Sequence, residues 1–306
     1  MKYLNPKADI TFKRVFGEHP DLVMSLLNAL LPLKSGEEII EIEYLPSDLV
    51  PENPLRKYSI VDVRCIDKQG RQFLTEMQML WSPEFRQRVL FNASKAYVRQ
   101  LKKGEEYELL QPVYSLNLVN EVFEPDLKGY YHHYSLVHVE HSDKVIDGLQ
   151  LIFVELPKFN PHSFAEKKMQ VLWLRYLTEI DEQTREVSEE LTSIPEISKA
   201  LTVLQKSAFS DAELQGYEKF WDGVSVEKTL YNSGIRKGKS EGFIEGKAQG
   251  IAEGKASGKA EGLAEGEAKG KAEERYRIAA EMKQSGLTTE QIVRYTGFDA
   301  QEIECL

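Results

Sequence analysis

The sequence has few cysteines and no long apolar run. Only two of its 306 residues are cysteine, Cys65 and Cys305, so a framework of several disulfides cannot stabilise the fold. No stretch approaches the roughly 20 consecutive apolar residues of a membrane helix. Residues 1–17 are polar and lack the apolar core of a secretory signal. We therefore expect a reduced, cytoplasmic protein that does not enter a membrane.

Basic residues are scarce relative to acidic ones. Lys and Arg number 39 against 49 Asp and Glu, which gives a formal net charge of -10. This charge argues against a surface that is basic throughout and binds nucleic acid by attraction alone, although it leaves room for a local basic groove. The sequence also lacks the nucleophile elbow of serine hydrolases and the Walker phosphate loop, which excludes two common kinds of catalytic motif.

Four segments differ in pattern along the chain. Residues 1–160 mix strand and helix patterns and predict an α/β core, with a mixed sheet flanked by helices. Residues 161–232 have helical periodicity and predict a C-terminal helical extension. Residues 233–272 form a glycine repeat, and residues 273–306 predict a small helical end-piece.

The strongest chemical signal is a predicted hairpin with a three-residue turn at residues 68–70, the last of which is a glycine suited to the left-handed conformation. This turn pairs Asp67 with Arg71. Counting back along both strands from that pair then places Asp62 opposite Glu76. Residues that pair directly point to the same face of a sheet, so the two carboxylates are predicted to lie side by side.

Three polar side chains share one face of this hairpin: Asp62, Glu76 and, two residues further along its strand, Gln78. The opposite face is apolar and is predicted to lie in the core, with Val61, Val63, Cys65, Phe73, Met77 and Met79. Like charges that face each other destabilise a sheet, and a hard divalent cation with oxygen ligands would offset the repulsion. The alternative is that both acids are solvated residues of an outer face, paired with Arg64.

This arrangement resembles a known superfamily. An Asp, followed on the next strand by Glu-x-Gln and then by a helix, is similar to the PD-(D/E)XK nucleases. Residues 9–17 (DITFKRVFG) and 151–159 (LIFVELPKF) narrow the resemblance to the Rpn group of recombination-promoting nucleases, also described as transposases. The resemblance implies a restriction-endonuclease-like core and cleavage of DNA with Mg²⁺, for which Mn²⁺ can substitute.

The resemblance also implies roles for particular residues. Asp62 and Glu76 would hold the metal ion, and Gln78 would position the attacking water. Gln78 stands where the superfamily usually has lysine, and a neutral amide can orient a water but cannot neutralise developing negative charge. Asp9 has two interpretations, as a further catalytic acid or as the N-cap of the first of two short helices predicted over residues 8–31, the second of which Asp21 would cap.

The sequence thus indicates a metal-dependent DNA endonuclease linked to recombination or mobile elements. The alternative is a catalytically weak nuclease fold that acts as a DNA-binding or interaction protein. Gln78 and the net charge of -10 both favour that alternative. Mg²⁺-dependent cutting would separate the two.

A long helix is predicted over residues 83–103, directly after the hairpin. Its apolar stripe contains Val89, Ala93, Ala96 and Leu101. A second face, roughly a quarter turn away, carries Arg88, Asn92, Lys95 and Arg99 at spacings of four, three and four. Such a face suits contacts to a phosphate backbone. An ordinary solvated helix face is the other interpretation.

Glycine recurs at every fourth residue from Gly234 to Gly270, with mostly Lys, Ala and Glu between. Each glycine costs a helix about 1 kcal/mol relative to alanine, so an isolated helix is not expected. Two outcomes remain: helices of two copies that pair along the glycine line, which would give a homodimer, or a flexible tether.

The end-piece predicts two short helices joined at Gly286, with Thr288 or Thr289 as the cap of the second and a turn at Gly297. This pattern resembles part of a helix-turn-helix. Reading of DNA and packing onto a partner chain both fit it.

Overall fold

The computed structural model describes residues 2–49, 59–160 and 168–306. The chain forms two compact units, Met1–Thr229 and Leu230–Leu306. The strands of the first unit are β1 Ile42–Tyr44, β2 Asp48–Leu49, β3 Ser59–Ile60, β4 Val63–Asp67, β5 Gln72–Gln78, β6 Val113–Val119, β7 Tyr131–His138 and β8 His141–Glu155.

Six of these strands form a mixed sheet in the order β1-β4-β5-β6-β8-β7. Strands β5, β6 and β8 are parallel to one another, whereas the β1–β4, β4–β5 and β7–β8 pairs are antiparallel. The short strands β2 and β3 pair separately. The parallel strands β5 and β6 are mostly buried, because helices cover both faces of the sheet.

The helices are α1 Asp9–Phe12, α2 Pro20–Leu30, α3 Pro83–Val98, α4 Lys168–Glu179, α5 Glu189–Thr192, α6 Pro195–Val203, α7 Asp211–Gln284, α8 Thr289–Thr296 and α9 Ala300–Glu304. Prolines begin α2, α3 and α6, where a missing backbone N–H costs nothing. A π-helical turn, Lys13–Gly17, links α1 to α2. Helix α3 packs on one face of the sheet, and α2, α4 and α6 contribute to the core on the other face.

The helices that follow residue 160 belong to the main core. Trp173 of α4 meets Phe16 edge-on, with ring centroids 5.4 Å apart, and both side chains are fully buried. Ile197 and Leu201 of α6 lie in the same cluster as Val63 of the sheet. The structure therefore differs from the predicted boundary between a core that ends at residue 160 and a helical extension that begins at residue 161. The reason is that these helices cover the apolar face of the sheet opposite α3.

In the second unit, residues 234–270 of the glycine repeat are helical and exposed. A Cβ atom added at any of the repeat's ten glycines would meet nothing within 4 Å. At the end-piece, Thr288 caps α8 in a capping box with Gln291, and Gly297 ends that helix with φ of 70°. Ala279, Ile292, Phe298 and Ile303 form the small core of the end-piece. Across the residues that the structure describes, none of the helices has the length and hydropathy needed to cross a membrane.

Candidate active site

The hairpin of β4 and β5 has the register expected from its turn. Val63 pairs with Thr75 and Cys65 with Phe73, which is the frame that places Asp62 opposite Glu76. Gly70 has φ of 84° and so takes the left-handed conformation that the turn requires. The side chain of Asp67 accepts a hydrogen bond from the Arg71 Nε at 2.6 Å and fixes the start of β5.

The pairing of β4 with β5 begins at Val63, one residue after Asp62. At this break the Asp62 carboxylate accepts a hydrogen bond of 2.7 Å from the backbone N–H of Met77, and thus satisfies a β5 donor beyond the last pair of the ladder. The break also corrects one predicted position. Val61 packs with Leu74 and Ala93 on the α3 side, not with Val63 on the opposite face, because the alternation of side chains does not continue across an interrupted strand.

Glu76 lies beneath α3 and is only 5% exposed. Its Oε1 accepts a hydrogen bond of 3.1 Å from the Asn92 Nδ2, and its Oε2 lies 3.4 Å from the Arg88 Nη2. Arg64 donates instead to Gln72, at 3.0 Å. The face that carries Glu76 is therefore covered by a helix, and the acid is paired with α3 side chains.

Gln78 is held at both ends of its amide. Its Oε1 accepts a hydrogen bond of 2.7 Å from the Arg88 Nη2, and its Nε2 donates to the Leu80 carbonyl at 2.5 Å. The guanidinium of Arg88 thus contacts both Glu76 and Gln78. We predicted that Arg88 contacts the phosphate backbone of DNA, and did not predict that it lies beside Glu76 and Gln78. The sequence feature that could have indicated this position is that Arg88 lies about one turn after the start of the helix that follows β5.

The electrostatics of the two acids follow from burial. Burial, with the nearby carboxylates of Glu76 and Asp9, raises the pKa of Asp62 to about 7 in spite of the Met77 N–H bond. Burial also raises the pKa of Glu76, although Arg88 and Asn92 act in the opposite direction. Two acids that resist ionisation beside each other are a typical feature of functional sites.

Both acids line one pocket with a volume of about 810 Å³. Gln78, Arg88 and Asn92 line it as well. The pocket thus unites Asp62, Glu76 and Gln78, as the hairpin register predicts, with two side chains of α3.

The donors in the pocket suit a hard divalent cation. Across residues 2–49, 59–160 and 168–306, no three His, Cys, Asp or Glu side chains gather into a metal-binding group. Mg²⁺, however, needs only one or two carboxylates and completes its shell with water and phosphate. In addition, the buried Oδ1 of Asn92 has no hydrogen-bond partner within the described residues. The buried carboxylate of Glu76, the half-buried carboxylate of Asp62 and an unsatisfied amide oxygen therefore fit such an ion.

Asp9 is not the cap of α1. The N-cap is Ala8, and Asp9 occupies the first turn, where its carboxylate pairs with Lys13 at 2.7 Å. Asp21 likewise lies inside α2, whose N-cap is His19. The predicted caps are therefore wrong by one or two residues. Asp9 still acts on the pocket, because its charge contributes to the raised pKa of Asp62.

The predicted polar face of α3 is divided between two roles. Asn92 is fully buried and contacts Glu76, which differs from the exposed position expected for it. Lys95 donates to the Leu49 carbonyl of β2. The side chain of Arg99, at the end of α3, makes no hydrogen bond or ion pair with the residues that the structure describes, and Arg99 is only partly buried.

Another buried carboxylate, outside this pocket, lies at the end of β8. Glu155, which is fully buried, bonds His132 at 2.8 Å and Lys158 at 2.5 Å, and it accepts a hydrogen bond of 2.9 Å from the backbone N–H of Glu124. His132 therefore contacts a buried acid, and it belongs to no metal-binding group of the residues that the structure describes.

Comparison with known proteins identifies one matching family. Residues 6–223 match the model of a family described as PD-(D/E)XK nuclease family transposase. This range is more than half of the chain and contains the whole sheet and α3. No curated protein and no solved structure matches the chain.

Proposed function

Since the chain belongs to the PD-(D/E)XK nuclease family transposases, we propose that it is a metal-dependent endonuclease that hydrolyses phosphodiester bonds of DNA, in recombination or in the movement of mobile elements. The observation that carries this proposal is the pocket itself. Asp62 and Glu76 meet there, next to a guanidinium that a phosphate can reach.

Asp62 and Glu76 are the residues proposed to hold Mg²⁺ or Mn²⁺. A bound ion of this kind polarises the scissile phosphate and lowers the pKa of a coordinated water. Met77 and Asn92 fix the orientation of the two carboxylates through the bonds described above. Preorganised ligands of this kind reduce the cost of assembling the site during the reaction.

Arg88 supplies the positive charge that Gln78 lacks. Its side chain is 46% exposed, so it can contact a phosphate at the mouth of the pocket while it keeps its bond to Gln78. A guanidinium binds phosphate oxygens with two parallel hydrogen bonds. Gln78 retains one lone pair on Oε1 for the attacking water. The leaving 3′-oxygen takes its proton from solvent.

DNA outside the pocket is proposed to follow α3 toward its C-terminal end. Lys95 and Arg99 lie there, about two and three turns beyond Arg88. Contacts from these side chains to phosphates position the strand without reading its sequence. Asn92 does not take part in this surface, because it is buried behind Glu76.

A second copy of the chain is the proposed protein partner, through residues 233–272. Glycine every fourth residue leaves a line without side chains on a continuous exposed helix. Two such lines allow close approach of two helices, and a period longer than 3.6 residues favours a right-handed wrap.

The test is digestion of a supercoiled plasmid by the full chain with Mg²⁺, Mn²⁺ or EDTA. We expect nicking with either ion, none with EDTA, and none by Asp62→Ala. The matched control is Glu43→Ala, which removes an exposed acid of the same sheet and should leave nicking unchanged. Cutting by Asp62→Ala at the parental rate would show that this pocket is not the catalytic site. Binding of DNA without metal-dependent cutting would instead identify a nuclease fold that acts as a binding protein.

A further inference from the structure

Two exposed apolar side chains line the pocket that holds the acids. Ile60 of β3 is 50% exposed and Phe91 of α3 is 43% exposed. Single apolar residues on a surface are ordinary. These two side chains come from different elements and face one cavity. Water contacts them when the cavity is empty, and a ligand with an apolar surface would displace that water.

Positive charge is interleaved with aromatic rings beside this cavity. The Lys95 ammonium lies 5.5 Å from the centroid of the exposed Phe91 ring, and the Arg88 guanidinium lies 4.7 Å from that of Phe85, which is buried. A groove that combines cations with an exposed ring suits a single nucleic acid strand, because the cations can bind the phosphates and the ring can stack on a base.

We infer that Phe91 and Ile60 receive an unpaired base next to the scissile phosphate, so that the protein selects single-stranded DNA over fully paired duplex. This inference rests on the proposed function and names its substrate class. In a duplex both faces of each base are stacked on neighbours, and reaching them requires extrusion of the nucleotide. A volume of about 810 Å³ lies within the range of pockets that enclose small organic ligands, about 300 to 1,000 Å³.

The experiment measures equilibrium binding of the full chain to a labelled thymidine oligonucleotide, alone and annealed to its complement, in buffer with Ca²⁺. Gel electrophoresis verifies that the strands stay intact. The variants are Phe91→Ala, Phe91→Leu and the control Leu90→Ala. Leu90 is the neighbouring helix residue, 47% exposed, and it is not among the described residues that line the pocket.

We expect the parent to prefer the single strand. Phe91→Ala should weaken single-strand binding about tenfold and leave duplex binding unchanged, and Phe91→Leu should lose less. Leu90→Ala should change neither. A strand with one abasic position should bind more weakly to the parent, and Phe91→Ala should add little further loss on it, since both changes remove the same contact.

Equal weakening of both substrates by Phe91→Ala, or no weakening of either, would overturn the inference. A parent that binds duplex as tightly as single strand would do the same. Plasmid cleavage separates these results from the proposed function. Cleavage without single-strand preference defeats the inference alone, whereas single-strand preference without metal-dependent cleavage defeats the proposed hydrolysis and leaves the binding pocket in place.

Discussion

The guanidinium of Arg88 donates a hydrogen bond of 2.7 Å to the side-chain oxygen of Gln78. This contact joins the helix α3 to the strand β5 and brings a full positive charge to a strand position occupied by a neutral amide. The same nitrogen lies 3.4 Å from Glu76. A positive charge on the helix can stabilise developing negative charge in place of a lysine on the strand. Mutations can test this by moving the positive charge from residue 88 of the helix to residue 78 of the strand.

Arg88→Met should lower the rate constant for plasmid nicking about 100-fold, because the variant keeps the length of the side chain and removes a group that faces the reacting phosphate. Gln78→Lys combined with Arg88→Met returns the cation to the strand and should recover part of that loss. Single-turnover kinetics with DNA in excess of its Kd separate this effect from binding.

The control for this exchange is Gln78→Lys alone, which places two cations together and should not exceed the parent in rate. If Arg88→Met nicks at the parental rate while Asp62→Ala does not, Arg88 has no part in the chemistry. If the double variant is no better than Arg88→Met, the two positions are not equivalent for the charge.

Much of this site follows from local rules. The turn at residues 68–70 fixes the register, and the register brings Asp62 and Glu76 to one pocket, because strand pairing transmits a turn's geometry along the whole hairpin. The predicted PD-(D/E)XK fold class, a mixed sheet flanked by helices, is confirmed. These features depend on sequence neighbours and on simple alternation.

Other features depend on contacts between distant segments. The position of Val61 could not be predicted, since it lies at a break between β3, which pairs with the distant strand β2, and β4, which pairs with β5. The burial of Asn92 depends on how closely α3 approaches β5. The pair of His132 with Glu155 joins residues from neighbouring strands whose register includes two irregularities, which no local pattern specifies.

Asp62→Asn should stabilise the metal-free protein at alkaline pH. The pKa of Asp62 is raised from 3.8 to about 7 by burial and nearby acids, so the folded state holds its proton more tightly than the unfolded state. The proton on Asp62 therefore makes its full contribution to the stability of the parent below about pH 4. This contribution is lost as the pH rises to about 7, by at most about 1.4 kcal/mol per pH unit. The amide keeps an oxygen for the Met77 N–H and has no proton to lose.

Urea unfolding in EDTA at pH 4, 6 and 8 measures this difference. The free energies of unfolding of parent and variant should agree at the lowest pH and diverge by about 1 to 4 kcal/mol at the highest. Mg²⁺ should then stabilise the parent and not Asp62→Asn, since an ion that binds only the folded state adds to its stability. A constant difference across the pH range would show that Asp62 titrates normally.

Arg99→Gln should reduce the salt dependence of DNA binding more than Lys95→Gln does. Each phosphate contact that is lost lowers the slope of log K against log salt concentration by about 1, and Arg99 has no ion pair within the described residues to release first. Lys95 already contacts the Leu49 carbonyl, so its charge is partly used inside the protein. Fluorescence anisotropy at several salt concentrations gives the slopes, with Lys144→Gln, which lies in the exposed β7–β8 turn region, as control. Equal slopes for all variants would show that the phosphates of bound DNA do not contact this face of α3.

Alanine in the glycine repeat distinguishes a paired helix from a solitary one. Gly246, Gly254 and Gly262 have open space around them in a single chain, so alanine at each position should favour the helix by about 1 kcal/mol and raise the circular dichroism signal. In a pair that meets along the glycine line, the added methyl groups would separate the backbones. We therefore expect the triple variant to be more helical as a monomer and yet to form less dimer than the parent in sedimentation equilibrium. The matched control replaces Ala248, Ala256 and Ala264, each two residues further along, with serine, which should leave the dimer intact because those side chains lie on the opposite side of the helix. A triple glycine variant that dimerises as well as the parent would show that any pairing uses another surface, and a parent that stays monomeric at every concentration would show that the repeat is a single exposed helix.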